Sequence, residues 1–91
     1  MNTNLKLGDL VYDKADPRHI GRVTKRSGTQ GGGPAILVDI LWLETRWRSL
    51  NVRVDDLVRV LTREEAAQFK ELDDAKLARV CVLWYVHEQT A

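Results

Sequence analysis

Apolar residues alternate with polar ones in several short runs over the first 61 residues of the chain. A two-residue period is typical of β-strands that bury one face. Gly, Pro and Asp residues separate the runs and favour turns there. We expect a turn at residues 15–19, a single helical turn at 55–57, and five strands, at residues 9–14, 20–26, 35–43, 46–54 and 58–61.

The third run is apolar on both faces. Its even positions are Ile36, Val38, Ile40 and Trp42, and its odd positions are Leu37, Asp39, Leu41 and Leu43. A strand with one face in water would alternate apolar with polar residues. We therefore expect this strand to be the central one, with the C-terminal part of the chain covering Leu37, Leu41 and Leu43.

The last 30 residues change character and predict helices. Thr62 and Glu65 have the spacing of a capping box, which predicts a helix from Arg63 to about residue 72. Asp73 and Asp74 can cap a second helix over residues 75–89.

Residues 79–87 leave two alternatives open. They are rich in β-branched and aromatic types, which suit a buried strand equally well on length. The two aspartates that precede the run favour the helix. In either form the segment is too apolar to stand in water, so we expect Trp84 and Tyr85 to lie in the core or in an interface.

Residues 27–34 contain four glycines and one proline, which predicts a surface loop. A phosphate-binding loop would need a Lys-Ser or Lys-Thr pair and a helix start after the glycines. Neither follows here, so nucleotide binding of that kind is excluded.

Composition narrows the class of protein. The chain has 91 residues, which suits one domain, and 14 Lys and Arg against 13 Asp and Glu give a formal charge of +1. Cys81 is the one cysteine, so an internal disulfide and a zinc site of paired cysteines are excluded. We expect Cys81, inside an apolar run, to be a small buried apolar side chain rather than a nucleophile.

The sequence also predicts a location and an absence of bound groups. The N-terminal residues lack the apolar run of a signal peptide, and no stretch has the length of a membrane-spanning helix. We expect a cytoplasmic or virion-associated protein with no metal, no cofactor and no membrane partner.

Three segments carry a resemblance to a known fold family. Leu7-Gly-Asp-Leu-Val11, Ile20-Gly-Arg-Val23 and Asp55-Asp-Leu57 resemble the opening, second strand and closing turn of SH3-like barrels of the KOW and Tudor type. The resemblance implies a five-stranded barrel over residues 1–61, followed by an extension of one or two helices over residues 62–91. It also implies an origin in a phage or mobile element. It does not imply one function, because unrelated activities use this barrel.

Within that group the layout is similar to the plasmid-borne type II dihydrofolate reductases. Those enzymes run through the corresponding strand as Val-Gln-Ile-Tyr, where this chain has Leu50-Asn-Val-Arg53. Asn51 and Arg53 therefore replace the Gln and Tyr of the enzymes. We expect no catalytic residue and no enzyme activity, and a small reductase is the third alternative.

The candidate binding residues are arginines around a tryptophan. Residues 1–61 hold ten Lys and Arg against seven Asp and Glu, whereas the last 30 residues are acidic. Arg46 and Arg48 flank Trp47, and an exposed aromatic ring beside arginines suits a peptide or a single-stranded nucleic acid. The alternative without a ligand is a partly buried Trp47, with solvated arginines that prevent the edge strand from pairing with other chains. Arg22 and Arg53 complete the candidate set.

These observations predict a non-catalytic binding or assembly module that acts through protein-protein contacts or self-association. Nucleic-acid binding of the KOW kind is the alternative.

Overall fold

Five antiparallel strands form one sheet in the computed structural model, which describes residues 4–28 and 36–87. The strands are β1 Leu10–Asp13, β2 Asp16–Ser27, β3 Leu37–Trp42, β4 Arg48–Arg53 and β5 Leu57–Leu61. Their order in the sheet is β4-β3-β2-β1-β5. The number of strands agrees with the prediction from the alternation of the sequence. A 3₁₀ turn at Val54–Asp56 separates β4 from β5. The predicted glycine-rich loop lies mostly outside the described residues.

The start of β2 differs from the prediction. A turn was expected at residues 15–19, but β2 already begins at Asp16. Tyr12 pairs with Ile20 and Asp13 pairs with Asp16, so the strand bulges between these two pairs. Pro17 lies in the bulge, where its missing N–H breaks no bond of the ladder. Pro17 therefore lies within β2 and does not interrupt it.

One face of the sheet, here called the inner face, carries its own apolar cluster. Val11, Val38 and Ile40 are fully buried there together with Trp42. Gly21 belongs to the same contact, because a Cβ at this position would lie 2.2 Å from Cγ2 of Ile40. The even positions of β3 supply much of this cluster as expected, except Ile36, which precedes the strand and is 56% exposed.

The C-terminal extension packs on the other face, here called the outer face. Helix α1 spans Arg63–Ala67, and helix α2, Asp74–Val80, continues into a π-helical segment at Cys81–Val86. Residues 79–87 are therefore helical, and the strand alternative is wrong. The covered cluster beneath the extension comprises Leu10, Tyr12, Ile20, Leu43, Leu61, Leu77, Ala78, Cys81 and Val86.

Local capping signals start both helices. The Thr62 hydroxyl accepts from the Glu65 N–H at 3.2 Å, and the Glu65 carboxylate accepts from the Thr62 N–H at 2.8 Å. The Asp73 carboxylate accepts from the Lys76 N–H at 2.8 Å. Both predicted caps are thus confirmed, although α1 ends at Ala67 instead of about residue 72.

The strand that is dry on both faces is β1 and not β3. Val11 points into the inner cluster, and its neighbours Leu10 and Tyr12 point into the covered cluster. The extension contacts β2 and β5, which lie on either side of β1. On β3, Leu37 and Leu41 remain half-buried. The expectation that the extension covers Leu37, Leu41 and Leu43 therefore holds for Leu43, which follows β3, and is wrong for Leu37 and Leu41.

A buried carboxylate joins three segments at the start of β1. Asp9 is 1% exposed and accepts from the Lys6 N–H at 2.9 Å. It also accepts from the Arg59 guanidinium of β5 at 3.2 Å and from the Arg63 N–H of α1 at 3.0 Å. Charged hydrogen bonds of this kind offset the cost of burying a carboxylate.

Candidate binding face

The register of the sheet brings the candidate binding arginines together with the leucines that were expected to be covered. Leu41 of β3 lies opposite Arg22 of β2 on one side and opposite Arg48 of β4 on the other. Residues directly opposite each other on neighbouring strands share a face. Arg22 reaches α2, so the whole row lies on the outer face.

Two further rows continue this surface toward the other end of the strands. Leu37 lies opposite Ser27 and Arg53, and Lys25 lies opposite Asp39. The part of the outer face that the extension leaves uncovered is here called the open face. Its side chains are Lys25, Leu37, Asp39, Leu41, Arg48, Leu50 and Arg53.

A bulge in β4 exposes Leu50. The register shifts here, because Val38 pairs with Val52 and Ile40 pairs with Ser49. Asn51 adopts a left-handed conformation with φ of 54°, and its N–H donates to the Asp39 carboxylate at 3.0 Å. Asparagine tolerates this conformation better than most residues. The bulge leaves Leu50 67% exposed on an edge strand.

The connection between β3 and β4 presents Trp47 to solvent. The Trp42 N–H donates to the Trp47 carbonyl at 2.8 Å, and the Arg46 N–H donates to the Trp42 carbonyl at 2.9 Å. Arg46 takes a positive φ of 63° to close this turn. The Trp47 side chain is 73% exposed, next to the first residue of β4. An aromatic ring this exposed contributes nothing to the core.

Asp74 occupies two of the four arginines that the sequence singled out. Its carboxylate pairs with Arg22 at 3.4 Å and also with Arg46. As the first residue of α2, Asp74 therefore fastens the extension to β2 and to the β3–β4 connection. Nothing local in the sequence links Asp74 to Arg22, because the two are 52 residues apart.

The remaining two arginines lie on the open face and do not pair with Asp74. Arg53 pairs with Asp55 at 3.6 Å, and both side chains are well exposed to solvent. Arg48 makes no ion pair within the described residues. Arg48 and Trp47 thus form the freest part of the predicted set.

The aromatic residues of the extension divide between core and surface. Tyr85 is half-buried and packs against the covered cluster. Trp84 is 59% exposed, and Leu83 beside it is exposed as well. Trp84 is therefore not a core residue, and its place in an interface stays a prediction.

His19 and Cys81 both contribute to packing. His19 stacks on Trp42 with ring centroids 3.8 Å apart, and Trp42 donates from Nε1 to the Ser49 hydroxyl at 2.8 Å. Cys81 is fully buried, and desolvation raises the pKa of its thiol to about 11. A thiol with this pKa is protonated at neutral pH, which confirms the prediction of a buried apolar side chain.

Over residues 4–28 and 36–87, no group of three or more His, Cys, Asp and Glu side chains could hold a metal ion. None of the helices in these residues combines the length and the apolar character needed to cross a membrane.

Comparison with protein-family models, with curated proteins and with solved structures found no match to this chain.

Proposed function

We propose that the chain is a non-catalytic binding module with an SH3-like architecture, and that its open face takes an acidic, apolar segment of a protein partner. The architecture is supported by the strand order, by the 3₁₀ turn before β5 and by the position of Gly8 and Asp9 at the start of β1. Gly8 has a positive φ of 88°, which favours glycine at this bend.

The observation that carries the proposal is the mixture of side chains on the open face. Leu37 and Leu41 are half-buried and Leu50 is exposed, and arginines stand on the same rows. Trp47 extends this surface at the end of β4. Tryptophan and arginine are the residue types that most often dominate binding energy in protein interfaces.

The charge of the open face indicates the partner's chemistry. Lys25, Arg48 and Arg53 outnumber Asp39, whose carboxylate already accepts the Asn51 N–H. Carboxylates of a partner would pair with the arginines, while its apolar side chains would cover the leucines. An amphipathic acidic segment satisfies both requirements.

A nucleic acid is the less favoured occupant of this face. Phosphates would gain from Arg48 and Arg53 but not from Leu37, Leu41 or Leu50, and Asp39 would repel them. The exposed Trp47 beside Arg48 is the one feature that suits a single strand, through base stacking. The binding experiment therefore includes an oligonucleotide.

The test uses peptides selected from a random library for binding to the wild-type chain. We expect acidic, leucine-rich peptides to be selected. The double substitution of Trp47→Ala with Arg48→Gln should weaken their binding at least about tenfold, the size expected for losing one interface anchor. Trp84→Ala is the matched control, because this tryptophan is comparably exposed but lies on the extension.

Three results would contradict the proposal. The first is unchanged peptide binding by the double variant, and the second is an equal loss with Trp84→Ala. The third is tighter binding of single-stranded oligothymidylate, with affinity that falls steeply as salt rises, which would support the nucleic-acid alternative instead. Light scattering after gel filtration shows whether a second copy occupies the face, since a stable dimer would replace the peptide as the occupant.

A further inference from the structure

A cleft of about 330 Å³ lies between the start of β1, strand β2 and the two helices of the extension. This volume is at the lower end of the range of small-molecule sites. None of the open-face side chains is among the described residues that line it. Its lining residues include Arg22, Arg63, Lys70, Phe69, Leu72 and Leu77.

The cleft carries an excess of positive charge. Arg22, Arg63 and Lys70 line it, against the single carboxylate of Asp74. Asp74 is already shared between Arg22 and Arg46. The Arg63 and Lys70 side chains take part in no ion pair within the described part of the chain. Two cations therefore remain for an anion that enters the cleft.

Arg63 is held in place at its base. Its N–H donates to the buried Asp9 carboxylate at 3.0 Å. Its side chain lies across Gly8, where an added Cβ would come within 2.8 Å of Cγ of Arg63. The contact with Gly8 restricts the aliphatic stem of Arg63. The Arg63 side chain therefore has less conformational entropy to lose when a ligand binds.

The floor of the cleft is apolar. Leu77 is buried in the covered cluster, and Phe69 and Leu72 pack against that cluster. A fully hydrated anion would gain nothing from such a floor, whereas a ring or a short alkyl group would bury apolar surface there.

We propose that this cleft binds an aromatic phosphate monoester, with its phosphate on Arg63 and Lys70 and its ring over Phe69 and Leu72. A guanidinium can take two phosphate oxygens at once, which favours phosphate over a single-point anion. The inference does not depend on the open face.

The experiment titrates the full chain with phenyl phosphate and follows the backbone amides by NMR. We expect saturable shifts near Gly8 and along residues 66–72. Lys70→Gln should weaken binding about fivefold, and its combination with Arg63→Gln more than about tenfold, as expected for lost charged hydrogen bonds. Lys70 is exposed, so its substitution keeps the fold even if the double variant does not.

Asp74→Asn provides a readout in the opposite direction. Removing this carboxylate releases Arg22 and removes the negative charge in the cleft, so we expect binding about threefold tighter. A residue with a structural role alone would not improve affinity when substituted. Lys76→Gln is the control, because this exposed lysine of α2 is not a lining residue, and it should leave affinity unchanged.

Three outcomes would overturn the proposal. The first is the absence of a saturable shift up to about 10 mM phenyl phosphate, because binding that weak is far below the affinity of typical small-molecule sites. The second is equal affinity in Lys70→Gln and Lys76→Gln, and the third is equal binding of inorganic phosphate, which would deny a role to the apolar floor. A phosphotyrosine peptide separates the two sources of this chemistry. In either result the cleft is supported: tighter binding than phenyl phosphate assigns the aryl phosphate to a protein, and weaker binding assigns it to a free small molecule.

Discussion

Leucine has opposite roles in the two halves of the outer face, which are the part beneath the extension and the open face. Leu43 lies under the extension and is fully buried, whereas Leu41, two residues earlier, stays half-buried and Leu50 on the neighbouring strand is exposed. The strands themselves do not account for the difference in burial, because all three leucines lie in segments whose sequence pattern predicts a β-strand. The position of the C-terminal extension accounts for it. Leucines beneath the extension stabilise the fold, and leucines outside it are available to a partner.

The largest expected effect separates Leu43 from Leu41. Leu43→Ala should lower the free energy of unfolding by about 3 kcal/mol, because it removes buried contacts and leaves a cavity under the extension. Leu41→Ala on the open face should cost about 1 kcal/mol, since part of this side chain is already in water. Chemical denaturation measures both. Equal losses would mean that the open face is covered too.

The pH dependence of stability tests the covered half through Cys81. The pKa of its thiol is raised to about 11 from 9.0, so the folded state holds a proton that the unfolded state releases. Stability therefore falls as pH rises from about 9, by about 2 kcal/mol at pH 11. Cys81→Ala should remove this part of the slope, and an unchanged slope would show that the thiol is not desolvated.

Asp74 lies at the boundary between the two halves. Asp74→Asn should lower the free energy of unfolding by about 1 kcal/mol or less, because its pairs with Arg22 and Arg46 are partly exposed. Asp55→Asn, which breaks only the exposed pair with Arg53, is the matched control and should change stability less. Thermal melts at low salt compare the two. A larger effect of Asp55→Asn would remove Asp74 from this boundary role.

The smallest effect on stability is expected at Leu50. Leu50→Ser should change the free energy of unfolding by less than about 0.5 kcal/mol, because the side chain is mostly in solvent. The buried Leu57→Ser of β5 should be strongly destabilising by comparison. A substantial loss at Leu50, measured by denaturation, would place this residue in an interface between copies of the chain.

Local signals in the sequence were sufficient for most of the elements. The alternation in residues 1–61 predicted the five strands, and Thr62 with Glu65 predicted the first turn of α1, because these interactions span a few residues. The helix over residues 79–87 was predicted from the aspartates that cap it, although its composition favoured a strand as much. Packing against the sheet accounts for the helix being formed by such β-branched residues.

Long-range contacts account for what the sequence did not predict. Arg22 and Arg46 looked free in the sequence, but Asp74 is brought to them by the way the extension crosses the sheet. Which of Leu37, Leu41 and Leu43 is covered depends on the same crossing. Neither β3 nor the extension specifies this crossing in its own sequence, so Leu37 and Leu41 could not be told from Leu43.

The buried Asp9 has a consequence for how the chain folds during synthesis. Its three hydrogen-bond donors come from residues 6, 59 and 63, so most of them are made long after Asp9 itself. Until Arg63 leaves the ribosome, β1 would have to bury a carboxylate without its partners. We therefore expect the first strand to dock late, after the start of α1 has been synthesised.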